Sequence, residues 1–215
     1  MSYETKKRLV STLILIPLIF YIIFKGSYLL KIFLLICFFI SIYEFYKMKI
    51  NYFVKFIGSL FLIFSFYSFF MLRYSINSEK SFIFIIILLT CISTDLGGFF
   101  FGKFFGGPKF TKISPNKTYA GIIGSYILSV IVIYFSIIYG KKLFFIDFNI
   151  ELSLFFTVIF ISTISQLGDL TISYFKRISK IKDTGQLIPG HGGLLDRIDG
   201  MIFAFPTIYL IKIIS

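Results

Sequence analysis

The chain has 215 residues, of which 57% are hydrophobic and 15% are charged, and its formal net charge is +12. A soluble domain of this size could not bury so much apolar surface, so the composition excludes a soluble globular protein and predicts an integral membrane protein. The basic residues are dispersed among apolar runs. This argues against a nucleic-acid partner and favours lysines that set membrane topology, with attraction to anionic lipid headgroups as a consequence.

Apolar runs along the chain predict an all-α integral membrane protein, a polytopic bundle of about seven transmembrane helices. Several runs are long enough, or nearly long enough, to cross a bilayer, and residues 118–140 contain no charge. The first run follows three basic residues but precedes no small-residue cleavage site, so we interpret it as a membrane anchor and not as a signal peptide. The predicted spans are Leu9–Phe24, Tyr28–Tyr43, Val54–Leu72, Phe82–Phe101, Tyr119–Tyr139, Leu152–Leu167 and Leu194–Ile214.

The loop charges indicate how the spans are oriented. With the N-terminus inside, most of the 22 basic residues fall in inside loops, as the positive-inside bias requires. This orientation places residues 103–117 and 173–199 together on the cytoplasmic side. We therefore expect a polar cleft that faces the cytoplasm.

The fourth span contains a carboxylate, Asp95, within the sequence ISTDLGGFFFGKFFGG. A charge in an apolar span costs about 2.5–3.5 kcal/mol on insertion scales, so Asp95 should face the bundle interior or a watery cavity. We favour a functional role for it over a structural hydrogen bond to a neighbouring span. Gly98, Gly102 and Gly106 recur every four residues, which predicts close helix packing along one face.

The loop at 114–121, SPNKTYAG, comes directly before the fifth span. If that helix begins near Thr118, its N-terminus carries free backbone N–H groups and partial positive charge, which attract phosphate. Lys117 beside it would complete a phosphate-binding position. The alternative is that Lys117 only sets topology, as lysines that flank membrane helices usually do.

A polar island, defined as residues 173–199, interrupts the apolar C-terminal part with the sequence SYFKRISKIKDTGQLIPGHGGLLDRID. The only histidine, His191, lies in a glycine-rich loop that can bring backbone close to a ligand. Because charge is costly in a membrane protein, a dense cluster of both signs indicates a functional site. Four of the ten acidic residues lie in or beside the island: Asp169, Asp183, Asp196 and Asp199.

The first part of the polar island is predicted to continue the sixth span as an amphipathic helix. Asp169 and Asp196 lie at the cytoplasmic ends of consecutive spans, so antiparallel neighbours would bring both carboxylates to one depth. Two facing carboxylates with cations nearby suit a magnesium-bound polyphosphate, because oxygen ligands hold the metal and cations neutralise phosphates. The alternative is an ion-paired juxtamembrane helix whose charges only compensate each other. The polar helix face carries Asp169, Ser173, Lys176, Arg177 and Lys180.

The polar island resembles the signature of the phosphatidate cytidylyltransferases, also called CDP-diacylglycerol synthases. That pattern reads Ser-x-apolar-Lys-Arg, four residues, Lys-Asp, a small residue, an apolar residue, His-Gly-Gly and Asp-Arg-x-Asp, and the island has no mismatch to it. Asp169 with its neighbours, Asp95 with its glycines and the SPNKT loop also resemble the family. The likeness covers the chain from Ser93 onward, whereas the N-terminal spans match only in hydrophobic character. One departure is Ala120, where the family usually has glutamate.

The resemblance implies a nucleotidyltransferase of phospholipid biosynthesis. Phosphatidate would attack the α-phosphorus of CTP, forming CDP-diacylglycerol and pyrophosphate, with Mg²⁺ as the cofactor and room for a second cation. The implied partners are CTP, phosphatidate and membrane lipids, and the resemblance is compatible with a homodimer. It also implies a multi-pass protein of the bacterial inner membrane, with its active site facing the cytoplasm. Within one integral domain, we assign 1–80 to N-terminal spans and 81–215 to the catalytic region.

The resemblance also implies roles for individual residues. The implied metal ligands are Asp169 and Asp196, with Asp199 in support. Because the lipid phosphate is already anionic at neutral pH, no general base is needed, and His191 is left with a loop-ordering hydrogen bond. The cations expected to hold phosphates and offset transition-state charge are Lys176, Arg177, Lys182 and Arg197. The remaining nucleotide contacts are assigned to Lys117, Ser173 and Asp95.

Two alternatives stay open. A small multi-span protein with carboxylates at Asp95 and Asp169 could be a cation transporter, although clustered lysine and arginine beside those acids would have little use there. A related CTP-dependent enzyme that acts on a different lipid is the second alternative.

Overall fold

The computed structural model describes residues 21–22, 27–74, 78–111, 113–144, 152–187 and 192–214. Within these ranges the regular structure is helical, and the strand-like pairing is limited to one isolated bridge between Lys109 and Thr118. The predicted all-α class is confirmed. The helices are α1 (Ser27–Lys47), α2 (Tyr52–Tyr74), α3 (Ser78–Phe105), α4 (Tyr119–Phe144), α5 (Leu152–Ile178), α6 (Leu195–Ile198) and α7 (Met201–Ile214).

Helices α1 to α5 are long and apolar enough to cross a membrane. They contain 21 to 28 residues, which at 1.5 Å per residue gives lengths of about 31 to 42 Å against a hydrocarbon thickness of about 30 Å. They correspond to the second to sixth predicted spans, and the protein is a multi-pass membrane protein. The first predicted span, Leu9–Phe24, lies almost wholly outside the described residues. The spanning segments are Tyr28–Lys47, Tyr52–Tyr74, Ile83–Phe105, Tyr119–Tyr139 and Ser153–Ile178.

The predicted seventh span, Leu194–Ile214, is not one continuous helix. It is divided into the four residues of α6 and the 14 residues of α7, so the prediction of one unbroken span is wrong. The division occurs at Asp199 and Gly200. The Gly200 N–H donates to the Asp199 carboxylate, and the Gly200 carbonyl accepts the N–H groups of Phe203 and Ala204, which begins a new helix.

The chain forms two compact units. The first comprises Met1–Phe70 with Phe175–Ile198, and the second comprises Met71–Tyr174 with Asp199–Ser215. In the first unit, α1 contacts α6, and the ring of Phe45 packs edge-on against Phe175 with 6.0 Å between centroids. Our assignment of 1–80 and 81–215 to different functional regions stays a prediction.

In the second unit, α3 packs closely along α4 because glycines face each other. A Cβ atom at Gly97 would lie 2.5 Å from the carbonyl oxygen of Gly124, and one at Gly121 would lie 2.9 Å from that of Gly98. Backbone therefore meets backbone, as in small-residue interfaces of membrane helices. The packing role predicted for Gly98 and Gly102 is confirmed.

Gly106 has a different role from the one we predicted. It lies just after the end of α3, its φ is 60°, and nothing lies within 4 Å of the position a Cβ would take. Its N–H donates to the carbonyl of Gly102, so it ends the helix in the left-handed conformation that glycine adopts without steric cost. The expectation that Gly106 packs against a neighbouring helix is wrong.

The interior of the second unit combines an apolar cluster with hydroxyl contacts between helices. The cluster is formed by Ile86, Ile133, Ile137 and Val158, which come from α3, α4 and α5. The same helices are linked by hydrogen bonds, each worth about 0.6 kcal/mol in a membrane. The hydroxyl of Thr94 donates to Ser162 at 2.8 Å, and that of Ser125 donates to the Thr94 carbonyl at 2.7 Å.

Candidate functional site

The carboxylate of Asp196, in α6, is held by four hydrogen bonds in the first unit. Its Oδ2 accepts the Thr184 N–H at 2.8 Å, the Thr184 hydroxyl at 3.0 Å and the Gly193 N–H at 3.0 Å. Its Oδ1 accepts the Lys176 ammonium at 2.7 Å. Both side chains of this ion pair are nearly buried, at 10% exposure for Lys176 and 6% for Asp196. The structure therefore brings together two predicted site residues, Lys176 and Asp196, in a fixed arrangement.

The turn that follows α5 returns the chain toward Asp196. The Ile181 N–H donates to the Lys176 carbonyl and the Lys180 N–H donates to the Arg177 carbonyl, which together form a Schellman motif. Lys180 takes the left-handed position usually occupied by glycine, with φ of 55°. The helix ends at Ile178, so the predicted amphipathic continuation is confirmed up to Arg177 and is wrong for Lys180.

A residue that we did not predict, Glu44, lies at the centre of this loop region. It comes from α1, is 3% exposed, and accepts the Leu194 N–H at 3.0 Å and the Leu195 N–H at 2.8 Å. Its Oε2 also lies 2.8 Å from the Thr184 hydroxyl, whose single hydrogen is shared between Glu44 and Asp196. The sequence contains one indication that Glu44 matters: it is the only acidic residue in the apolar sequence from residue 28 to residue 46.

Two glycines of the polar island leave space for the Glu44 carboxylate. A Cβ at Gly185 would lie 2.5 Å from Oε1 of Glu44, and one at Gly193 would lie 2.5 Å from Oε2. Gly192 is required for another reason, since its φ is 87° and side chains rarely adopt that conformation. The glycine-rich loop therefore brings backbone close to a protein carboxylate of the same chain.

Asp169 is the centre of a second cluster, in the second unit. Its Oδ2 lies 2.6 Å from the Lys117 ammonium, and its Oδ1 accepts the Ser173 hydroxyl at 3.2 Å. Lys117 also donates to the carbonyl oxygen of Gln166 at 3.4 Å. The side chains of Lys117 and Asp169 are 23% and 27% exposed, so water and a ligand can reach the pair. Three predicted site residues, Lys117, Asp169 and Ser173, are thus in contact.

The SPNKT loop positions Lys117 as predicted. Helix α4 begins at Tyr119, and the hydroxyl of Thr118 accepts the Gly121 N–H at 3.1 Å, which makes Thr118 the N-cap. The Phe110 N–H donates to the Lys117 carbonyl at 2.8 Å, which fixes the backbone just before the helix. The expected helix start near Thr118 is confirmed, and Lys117 lies beside that helix terminus.

The other predicted site residues differ in exposure. Asp95 is exposed on α3, whereas Asp199 is 6% exposed and its Oδ1 accepts the Gly200 N–H at 2.8 Å. His191 lies outside the described residues. Three more of the predicted site residues, all cations of the first unit, are exposed: Arg177, Lys182 and Arg197.

The two carboxylates that we assigned to magnesium offer suitable chemistry. Mg²⁺ prefers oxygen ligands and usually takes one or two carboxylates together with phosphate oxygens and water. Asp169 fits through its partly exposed carboxylate. Asp196 fits less directly, because its Oδ2 accepts three hydrogen bonds and its Oδ1 is paired with Lys176, so a metal would have to share Oδ1 with that lysine or displace it. Across the described ranges, no three His, Cys, Asp or Glu side chains converge into a cage. A metal held by a single carboxylate together with a ligand's phosphates and water needs no such cage.

Comparisons with known proteins agree with the resemblance of the polar island. The chain is 41% identical over 146 residues to a phosphatidate cytidylyltransferase of Staphylococcus haemolyticus, covering 67% of this chain and 54% of the relative. It is 39% identical over 148 residues to that of Staphylococcus aureus (68% and 55%), and 40% identical over 126 residues to that of Haemophilus influenzae (58% and 43%). The chain spans about half the length of these relatives.

The family model for cytidylyltransferases matches residues 48–214, which is well over half of the chain. The match includes the SPNKT loop, both acid–lysine clusters and the whole polar island. Glu44 lies before the matched segment. The chain belongs to the cytidylyltransferase family.

Proposed function

We propose that this chain is a phosphatidate cytidylyltransferase, which transfers CMP from CTP to phosphatidate and releases pyrophosphate. The observation that carries the proposal is the family match over residues 48–214, which includes the polar island and both acid–lysine clusters. The ion pair of Lys176 with Asp196 does not decide the matter, because charges that only compensate each other would also pair in this way. Relatives that are 39–41% identical to this chain are named phosphatidate cytidylyltransferase. The family match gives no support to the cation-transporter alternative.

The proposed reaction is an attack by an anionic phosphate oxygen of the lipid on the α-phosphorus of CTP. The new oxygen–phosphorus bond forms as the bond to the bridging oxygen breaks, and the electron pair leaves with pyrophosphate. Since the nucleophile is already anionic, the residues need to bind, orient and neutralise, and none needs to remove a proton. Bound Mg²⁺ would stabilise the negative charge on the leaving group.

The protein's cations supply the remaining neutralisation in this proposal. The exposed side chains of Arg177, Lys182 and Arg197 bind phosphate oxygens, and Lys117 contacts phosphate from the N-terminus of α4. Asp169 and Asp196 are the proposed metal ligands, with Asp199 in support. Ser173 keeps the Asp169 carboxylate oriented through its hydrogen bond.

Asp95 is proposed to contribute to binding of the nucleotide or its metal. A carboxylate within an apolar span is stable only when water or a partner reaches it, and the side chain of Asp95 is exposed on α3. The proposal assigns to Asp95 a contact with CTP or with the hydration shell of the metal.

We further propose that the protein resides in a bacterial inner membrane with its active site facing the cytoplasm. The distribution of basic residues supports this orientation, and the relatives come from bacteria. A homodimer stays a prediction.

An acceptor assay tests the reaction and the lipid together. The purified full chain, in detergent with CTP and Mg²⁺, is given phosphatidate, a prenyl phosphate or an archaeal-type ether lipid phosphate, and released pyrophosphate is measured. We expect release that depends on phosphatidate. Release only with another lipid phosphate would contradict the proposed substrate, and no release with any acceptor would contradict the proposed activity.

A further inference from the structure

Glu44 is a buried carboxylate that the proposed reaction does not use. It lies near the end of α1, before the segment matched by the family model, and it is 3% exposed. Burying a charged group is costly unless hydrogen bonds compensate it. Within the described residues the compensation comes from three donors, which are the N–H groups of Leu194 and Leu195 and the hydroxyl of Thr184.

These donors belong to two separate stretches of the polar island. Thr184 follows the turn after α5, whereas Leu194 directly precedes α6 and Leu195 is its first residue. Glu44 is 140 residues from Thr184 and 151 from Leu195 in sequence. The Glu44 side chain of α1 therefore connects the two stretches through hydrogen bonds. Gly185 and Gly193 leave space for it, because a side chain at either position would collide with the Glu44 carboxylate.

The same two stretches hold Asp196. Its Oδ2 accepts the N–H groups of Thr184 and Gly193, one from each stretch, and the Thr184 hydroxyl lies between the two carboxylates at 2.8 Å from Glu44 and 3.0 Å from Asp196. With Oδ2 fixed in this way, Oδ1 is directed to Lys176 at 2.7 Å. If the two stretches moved apart, Asp196 would lose hydrogen-bond donors and its carboxylate would no longer be held in one direction.

We infer that Glu44 is a positioning residue for this enzyme: by tying Thr184 to the start of α6, it fixes the direction of the Asp196 carboxylate. The inference deepens the proposed function and rests on it for the kinetic measurement below. The structural measurement does not depend on catalysis.

Hydrogen exchange of individual amides in the full chain, in detergent, tests whether Glu44 holds the two stretches together. In the Glu44→Gln variant, the amide keeps the size of the side chain, but its NH₂ group must face at least one of the three donors. We expect exchange at Leu194 and Leu195 to become at least about tenfold faster, and exchange at Thr184 and Gly193 to do the same. The last two amides donate to Asp196 and not to Glu44. Faster exchange confined to Leu194 and Leu195 would overturn the inference, because Glu44 would then be only a local cap.

Two further variants keep the test decisive. Ser41→Ala is the matched control, since Ser41 is buried one turn away on α1. Among the described residues its hydroxyl bonds only to the Cys37 carbonyl, so exchange in the polar island should be unchanged. If Glu44→Gln does not fold, Thr184→Val decides the matter. It keeps the shape and removes the shared hydroxyl, so the Gly193 and Leu195 amides should exchange about tenfold faster. Unchanged exchange there would overturn the inference.

The kinetic measurement separates positioning from a merely structural role. In Glu44→Gln, the Mg²⁺ concentration for half-maximal CTP transfer should rise about tenfold, because the Asp196 carboxylate is less well directed. If Glu44 only supported folding, the variant would yield less folded protein with an unchanged Mg²⁺ requirement, which would overturn the inference. A wild-type chain with no CTP transfer would contradict the proposed function, while the exchange measurement would still decide the role of Glu44.

Discussion

Replacing each of the two proposed metal ligands with asparagine should abolish activity in both cases but destabilise the protein in only one. Asp169 and its partner Lys117 are about a quarter exposed, so solvent screens their pair, which contributes at most about 1 kcal/mol to stability. Asp169→Asn should therefore fold almost normally. The pair formed by Asp196 with Lys176 is nearly buried, and breaking such a pair costs about 3–5 kcal/mol because one charge is left without its partner.

The hydrogen bonds of Asp196 explain why asparagine cannot replace it without loss. If the amide oxygen takes the place of Oδ2, it still accepts from Thr184 and Gly193, but the NH₂ group then faces the Lys176 ammonium. In the opposite orientation the NH₂ group faces three donors. Either orientation sets donor against donor, so the cost near 3–5 kcal/mol applies to both.

Thermal unfolding in detergent and turnover of CTP are measured on the same preparations of the two variants. We expect turnover below about a tenth of wild type for both, which corresponds to a barrier increase of at least ~1.4 kcal/mol. Only the Asp196 variant should show a markedly lower unfolding temperature. Turnover above that level in Asp169→Asn would refute its assignment as a metal ligand, and equal unfolding temperatures would refute the reasoning from burial.

Three other predictions follow from the topology, the glycine interface and Asp95. Cysteines at Asn116 and Gln186, both exposed positions, should react with an impermeant thiol reagent only after cells are opened, whereas one at Lys141 should react in intact cells; labelling of the first two from opposite sides would contradict a common cytoplasmic face. Gly97→Ala should lower stability by about 1–3 kcal/mol in detergent unfolding, because its Cβ meets the backbone of the facing helix; unchanged stability would contradict the close packing. Asp95→Asn should fold normally and weaken the apparent affinity for Mg²⁺ or CTP in steady-state kinetics, and unchanged affinities would remove Asp95 from the site.

Hydropathy predicts five spans that the structure contains, because a membrane requires about 20 apolar residues whatever the tertiary contacts are. The N-cap at Thr118 is also predictable, since capping depends on a residue and its neighbours within one turn. Close packing at Gly98 follows from small-residue spacing alone. Each of these features is determined by local sequence.

The features that sequence reasoning missed depend on distant contacts or on exact backbone conformation. Glu44 acts on residues 140 to 151 positions away, and no local pattern connects an acid in an apolar helix with a distant loop. The left-handed conformation of Lys180 is adopted without a glycine, so the usual marker of a helix end is missing. The division at Asp199 and Gly200 lies inside a run that is otherwise apolar enough to read as a span.

The central claim is that the chain transfers the α-phosphorus of CTP, with its nucleoside, to phosphatidate. The most direct test supplies the purified protein with phosphatidate, Mg²⁺ and CTP labelled on either the α- or the γ-phosphorus. The account predicts that the α label enters the lipid fraction and that the γ label appears in pyrophosphate. Label from the γ-phosphorus in the lipid, or no α label there, would contradict it.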